Sequence, residues 1–507
     1  MTARELLSVD AGEAQYEALR RGTNLRWVGT PMDIFLPTST VQVQHAVQRA
    51  LSAGTRVVAR SGGHCYEDFT TASDVGTVID LSALEGISWD AARGAFEVGA
   101  GVRLGDLYHQ MYRRWGVVLP AGNCPTVAAG GHIVGGGYGS LCRRNGLAVD
   151  HLQAVEVVVV DQGGHARTVV ATRDDEGDLA DLWWAHTGGG GGNFGIATRY
   201  WLRSPDTSLN TPSEASSFDP HAALPQAPQF VWVNEVSWAW QDLRADDFAT
   251  LLQNHGRWHE RNSEPTSRAR DLFSQLKVWH RSHGSITMDT QIDAAAPNAE
   301  QVLLDYTRAV SEGLRAPMTT TQHRKVPWMQ ATQWAGFTGP DSTTRFKGKS
   351  TYLRRAYPPQ QIRAMYQHST RSDFSNPGAL LMIASYGGQV NAVAPQATAV
   401  AQRDSIIKMQ VVSIWHDARD DASNIAWVRE HYRDLYADTG GVPVPNEVTD
   451  GCFINYADSD LSDPVWNTSR VPWTELYYKE NYPRLQQAKR TWDPCNVFQH
   501  AQSVQPR

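Results

Sequence analysis

Residues 121–139 read AGNCPTVAAGGHIVGGGYG, and the fold turns on what so many glycines are for. Seven of the eighteen positions from Gly122 to Gly139 are glycine, which weakens any helix or strand and suits backbone that must turn sharply or approach something closely. Two similar runs flank it: RSGGHCYE at 60–67 and HTGGGGGNFGIATR at 186–199. Strand-like segments lie close by, Arg56 to Ala59 ahead of the first run and Ala154 to Val160 with Arg167 to Ala171 between the second and third. One run alone reads equally well as a tight turn. Three in one half of the chain point to a nucleotide-sized ligand, because glycine lets backbone N–H groups close on an anion or a ring edge. None is a GxxxxGKS/T loop or the GxGxxG opening of a βαβ unit, which disfavours ATP or NAD held in a Rossmann crevice.

Outward from these runs, Thr77 to Leu81 and Ala95 to Val98 read as further short strands, and Leu104, Leu107, Tyr108 and Met111 predict a helix over Leu104–Trp115. Residues 204–228 carry Pro, Ser and Asp without periodicity and mark a connection. Beyond it, strand-like runs (Phe230 to Trp238, Ser285 to Ile292, Ala379 to Tyr386, Ile406 to Trp415) alternate with amphipathic stretches (Asp246 to Glu260, Ala299 to Glu312, Pro359 to His368, Asp421 to Tyr436). That order predicts an α+β protein with an antiparallel sheet covered by helices on one face. The last 60 residues return to short segments and are expected to close back onto the first unit.

A chain of 507 residues divides into two or three units and can bury a large cofactor. Its net charge of −7 argues against a nucleic-acid or anionic-membrane partner, which would need clustered Lys and Arg. No apolar run suits a secretory signal or a membrane span, so the expectation is a cytoplasmic protein. On that expectation the Asn467-Thr468-Ser469 sequon is incidental. Five cysteines (65, 124, 142, 452, 495) include no CxxC pair and no metal-ligand spacing, so no metal is expected and at least one thiol is left over.

His64 and Cys124 sit inside the glycine turns. Read as residues, each is as compatible with a backbone-bonded histidine or a small buried thiol as with chemistry. RSGGHCYEDF followed by GNCPTVAAGGHIVGGGYG, with His64 and Cys124 60 residues apart, resembles the berberine-bridge-enzyme-like family of FAD-linked oxidases, whose flavin domain is of the vanillyl-alcohol-oxidase type. VEVVVVDQGG, DLWWAHTGGGGGNFGIATRYW and WDPCNVFQHAQSV extend the resemblance over most of the chain. It implies FAD held covalently at two points, His64 on the 8α-methyl carbon and Cys124 on the C6 carbon. It implies a flavin wall of Ser61, Gly62, Gly63, Gly131, Gly135, Gly136, Gly137, Gly139 and Ile196, together with Arg60, Gly122, His132, Gly195, Asn455 and Asn496. His132 suits a structural role holding the flavin loop. The resemblance also implies a flavin domain from 1–206 completed by 440–507, and a substrate domain at 207–439 inserted between them.

The stretch Gly451 to Asp458 resembles the family's Tyr-x-Asn-Tyr-x-Asp motif, which makes Tyr456 the expected general base. Phe453 stands where the motif has its first tyrosine, so one hydroxyl is missing. A free tyrosine is only ~0.1% ionised at pH 7, so its phenolate must be stabilised by several kcal/mol. Tyr138, Tyr386 and Gln410 are the candidates to assist, and ordinary strand packing accounts for each equally well. The many Trp and Tyr of the second half suit either core packing or sugar stacking. Tyr456 would take the hydroxyl proton while hydride passes to the flavin, with O2 as acceptor and H2O2 released. The segments ATRDD and TGGVPVPNEVTDG are further similar to the hexose oxidases of teicoplanin-type lipoglycopeptide biosynthesis, which implies a sugar primary alcohol on a bulky antibiotic, oxidised to aldehyde or carboxylate. Two alternatives stay open: oxidation of a secondary alcohol or C–C bond formation on another natural-product scaffold, and a non-catalytic flavin-binding protein.

Overall fold

The computed structural model describes residues 5–205, 219–337 and 344–506, so the middle of the connection expected at 204–228 lies outside the described residues. Ahead of it stand two small sheets. β1 (Leu7–Val9), β2 (Asp33–Leu36), β3 (Arg56–Arg60) and β4 (Val75–Asp80) pair in the order β1-β2-β4-β3, with β4 parallel to both β2 and β3. Parallel strands need crossovers: the helix Thr40–Ala53 joins β2 to β3, and residues 61–74, which carry the first glycine run, join β3 to β4. Ser39 caps the start of that helix, Gly54 in the left-handed region ends it, and Val43, Ala46, Val47 and Ala50 bury one face at helical spacing.

β5 (Ile87–Asp90), β6 (Ala95–Gly99), β7 (Leu152–Val160), β8 (Ala166–Thr172) and β9 (Ile196–Leu202) form an antiparallel sheet in the order β5-β6-β9-β7-β8. β7, LQAVEVVVV, is buried at every position, which is why it reads as a continuous apolar run without alternation. The helix Leu104–Trp115 has the expected bounds and buries Leu104, Leu107, Tyr108 and Met111.

The second half builds one seven-stranded sheet. Its strands are β10 (Phe230–Ala239), β11 (Leu272–Trp279), β12 (Ser285–Asp293), β13 (Met318–Pro327), β14 (Arg345–Leu353), β15 (Ala379–Ser385) and β16 (Ile407–Trp415), in the order β13-β10-β12-β11-β15-β16-β14, all antiparallel. Helices Ala299–Ser311 and Asp421–Leu435 pack on this sheet, and Ala245–Asn262 and Pro359–Thr370 pack against those two. The α+β class expected from the sequence is the class observed. β11, β13 and β14 were not expected, because LFSQLKVW, MTTTQHRKVP and RFKGKSTYL mix polar with apolar side chains and hide the period.

The C-terminal helix Tyr482–Trp492 packs on the helix Gly177–Ala185. Buried Lys489 Nζ donates to the carbonyls of Asn193 and Phe498 and pairs with Asp493 at 2.6 Å, drawing the last residues onto the third glycine run. No helix among the described residues is long and apolar enough to cross a membrane.

Candidate active site

The three glycine runs, the 453–457 loop, the 498–500 turn and one face of the seven-stranded sheet enclose a cavity of about 590 Å³. Its volume lies within the range of small-molecule and cofactor pockets. No carboxylate stands among the described residues that line it, so an anionic group meets no repulsion there. Arg60 does line it, but its guanidinium is engaged by Asp80 at 2.6 Å and by the Arg21 carbonyl at 3.0 Å. A Cβ on Gly131 would meet nothing within 4 Å and would stand in the cavity, whereas one on Gly62 would lie 2.7 Å from the Ala128 amide. The wall is therefore close-packed backbone with open space in front of it, and it fits the flavin dinucleotide expected from the sequence.

The 60–67 and 122–139 loops bring their reactive side chains together. His64 Nε2 lies 3.1 Å from Thr126 Oγ1 and Cys124 Sγ lies 3.5 Å from the same hydroxyl, so the two side chains stand no further apart than the sum of those distances. His132 Nε2 accepts the Gly122 N–H at 2.9 Å, and its carbonyl accepts Asn455 Nδ2 at 3.0 Å. Burial, with Lys408 adding to it, pushes this imidazole down to about 3, so it stays neutral and able to accept. The loop bearing Cys124 and the loop bearing Tyr456 are thereby tied to one turn.

Arg60, Ser61, Gly62, Gly63, His64, Gly122, Cys124, Gly131, His132, Tyr138, Gly139, Gly195, Ile196, Gln410, Asn455 and Tyr456 all line the cavity. Gly135, Gly136, Gly137, Tyr386 and Asn496 do not. A Cβ on Gly135 would lie 1.9 Å from Asn455 Oδ1, and Gly136 and Gly137 face Val400 and His132, so these three make room for neighbouring chain. Tyr386 is fully buried against Tyr352, with ring centroids 5.1 Å apart. Asn496 takes a positive φ of 49° in the C-terminal turn.

In the same cavity Tyr456 is enclosed by aromatic rings. Its hydroxyl lies 2.9 Å from that of Tyr138, and its ring stacks on Tyr66 at 4.9 Å and 15°. Gln410 Nε2 donates to the Tyr66 hydroxyl at 3.0 Å. Phe453 meets Tyr456 edge-on at 5.1 Å. Above this group stands Lys408, whose Nζ is 3.0 Å from the Phe453 ring centre, 3.4 Å from that of Tyr138 and 4.8 Å from that of Tyr456. This Nζ is buried without a hydrogen-bond partner among the described residues, and burial pushes its pKa well below the usual lysine value. Burial and the Tyr138 neighbour push Tyr456 well above the usual tyrosine value.

Tyr66 and Lys408 escaped the sequence reading. Tyr66 lies two residues beyond His64 in the same turn and so had a local signal, whereas Lys408 shares a strand face with Gln410 but meets rings from distant segments. Of the tryptophans in the second half, Trp238 and Trp427 are core, while Trp279 lines the cavity.

A family model described as FAD binding domain matches residues 31–168, and one described as berberine and berberine like matches residues 452–505. The aclacinomycin-N/aclacinomycin-A oxidase of Streptomyces galilaeus is 45% identical, over 99% of this chain and 90% of its own. Among solved structures, a flavoenzyme involved in the shunt product recycling mechanism in caerulomycin biosynthesis superposes with a TM-score of 0.95 at 44% identity and covers 100% of both chains. A glycopeptide hexose oxidase complexed with teicoplanin superposes at 0.92 and 42% identity, over 99% of each chain.

Proposed function

The chain belongs to the berberine-bridge-enzyme-like family of FAD-linked oxidases, and from that premise we propose that it oxidises a hydroxyl group carried on an elaborated natural product, with a sugar hydroxyl as the leading choice. The observation that carries this reading is that the Tyr456 cluster and the His64–Cys124 pair share one cavity. The convergence of His64 and Cys124 on Thr126 supports two covalent links to the flavin, one from each side chain. Residues 1–206 with 440–507 would hold the cofactor, and 207–439 the substrate.

The chemistry FAD supplies in such a site is hydride acceptance and delivery of the electrons to O2 as H2O2. The chain's own work is to move the proton. Tyr456 takes it from the substrate hydroxyl, and Tyr138, 2.9 Å away, donates a hydrogen bond to the phenolate that forms. Lys408 supplies the charge that such a phenolate needs. With Tyr456 ionised and Lys408 protonated, opposite charges about 5 Å apart attract by about 3 kcal/mol at an effective dielectric of 20, and Lys408 Nζ lies 4.8 Å from the Tyr456 ring centre. On this reading the proton passes between the two groups as the substrate binds and reacts. The missing tyrosine hydroxyl at Phe453 leaves an aromatic face on which the Lys408 amino group sits.

The similarity to an aclacinomycin oxidase and to a teicoplanin-bound hexose oxidase supports a glycosylated antibiotic as substrate, the lipoglycopeptide type among them. The test joins two measurements on purified protein. Denaturing mass spectrometry should show one FAD added to the polypeptide, retained in His64→Ala and in Cys124→Ala and lost only in the double variant. Oxygen uptake with aclacinomycin N, teicoplanin and D-glucose should show H2O2 formed with at least one glycosylated antibiotic. A flavin that none of the three reduces would overturn the oxidation of glycosylated antibiotics.

A further inference from the structure

Beyond Tyr456 the cavity runs along one face of the seven-stranded sheet. Strand alternation puts Gln275, Lys277 and Trp279 of β11 on that face, and the pairing carries it across the sheet. Lys277 stands opposite Met382 and Met382 opposite Gln410, while Trp279 stands opposite Leu380 and Leu380 opposite Val412. The middle of the wall is thus an apolar plate. Its edges are polar: Gln410 beside Tyr66 and Tyr456 at one side, Gln275 and Lys277 at the other.

The two polar residues of β11 differ in what they have left to offer. Lys277 Nζ pairs with Asp289 at 2.8 Å and donates to the Gly336 carbonyl, so its charge is answered inside the protein. Gln275 is 4% exposed, and its Oε1 is buried with no partner among the described residues, although the residue lines the cavity. Buried amide oxygens are almost always satisfied, and half a turn of the amide brings either polar atom to a ligand.

We propose that Gln275 is the specificity-determining contact for the remote end of the substrate, hydrogen-bonding a hydroxyl there while the apolar plate takes up flat fused rings in between. The proposal rests on the oxidase reading of the same cavity and names its substrate class: a glycoside of a fused-ring aglycone that carries a hydroxyl on the far ring. Gln275 stands opposite Ala384 and Ala384 opposite Lys408, the residue over Tyr456, so Gln275 lies two strands from Lys408 in one row, about 10 Å between backbones, and a single sugar ring spans only roughly half of that. A free monosaccharide at Tyr456 therefore leaves Gln275 untouched.

The experiment measures equilibrium binding to the flavin-loaded protein through the flavin absorbance, without turnover. The probes are methyl β-D-glucoside, 2-naphthyl β-D-glucoside and 6-hydroxy-2-naphthyl β-D-glucoside. Wild type should bind the naphthyl glucoside more tightly than the methyl glucoside, and the hydroxylated probe about tenfold more tightly again. Gln275→Leu should erase that last step and leave binding of the unsubstituted naphthyl glucoside unchanged, which also shows that the variant is folded. Equal binding of the two naphthyl probes by wild type overturns the proposal, as does equal weakening of both by the substitution, or no binding of either. Failure of the oxidase reading is a different result: the hydroxyl-dependent binding would persist while no alcohol reduced the flavin.

Discussion

Lys408 and Tyr456 illustrate how a buried residue acquires a role from its neighbours. In isolation burial disfavours charge on both, pushing the lysine down and the tyrosine up. On the proposed mechanism, a proton passed from Tyr456 to Lys408 would make the phenolate accessible. Tyr456→Phe should lower kcat by 10²- to 10⁴-fold, on the order of a general base's contribution, with the flavin still attached by mass. Lys408→Met removes the cation that favours the phenolate, so the pKa governing the rising limb of the kcat/KM profile should increase. The limb should move about two pH units upward, and an unmoved limb would remove Lys408 from the proton chemistry. Tyr456 was readable from its motif because Asn455 and Asp458 travel with it in the chain. Lys408 was not, because the rings beneath it come from residues 138, 453 and 456, and no local pattern announces such a meeting.

At the scale of elements, the site depends on loops that approach too closely for side chains. The helix Ala129–Val134 ends at Gly135, where the carboxamide of Asn455 packs directly on the backbone and reaches back to the His132 carbonyl. Gly135→Ala would place a Cβ 1.9 Å from Asn455 Oδ1 and must displace the 453–457 loop. The expected outcome is a loss of about 1–3 kcal/mol of stability by denaturant melt, together with a drop in kcat as Tyr456 shifts from Tyr138. A variant with unchanged melt and rate would show that the loop tolerates the movement. The first half of each sheet's story was legible: glycine runs mark turns, and β10, β12, β15 and β16 alternate or run apolar clearly enough to be found. The pairing of β11 with β15, which carries Trp279 and Lys277 to the cavity, joins segments about 100 residues apart and left no trace in either one.

Across the whole molecule, a buried charge cluster joins the three parts that make the site. Lys347 and Lys349 of β14 meet Glu67 from the His64 loop and Asp458 and Asp460 from the Tyr456 loop, and Arg429 closes the group on Asp460 at 2.7 Å. All but Arg429 have side chains no more than 3% exposed. Burial opposes ionisation of Asp460, but Lys349, Lys347 and Arg429 outweigh it and hold the carboxyl far below its usual 3.8. A carboxyl with a lowered folded pKa contributes stability that is full above the unfolded value and lost as pH falls below it. The unfolding temperature should therefore drop as pH falls from about 4, alongside the loss common to all paired carboxylates. Lys349→Met strands part of the acidic charge in the interior and should cost about 3–5 kcal/mol at neutral pH, measured by denaturant unfolding, with part of that cost recovered in acid. Equal destabilisation at pH 7 and pH 4 would show that the cluster acts only by packing.

That His64, Cys124 and Tyr456 are candidates was legible in the sequence alone, because each stands in a short motif whose other residues lie within a few positions of it. Local chain geometry is written in local residue order. The tertiary structure alone decided which charges and rings surround Tyr456, which of the expected glycines face the cavity rather than the neighbouring chain, and that Gln275 lines that cavity two strands from Lys408. Those outcomes depend on strand order and on the closure of a seven-stranded sheet over two smaller ones, where contacts join residues separated by about 100 to more than 300 positions. Such contacts are selected by the total burial of the folded chain, a quantity no single segment encodes.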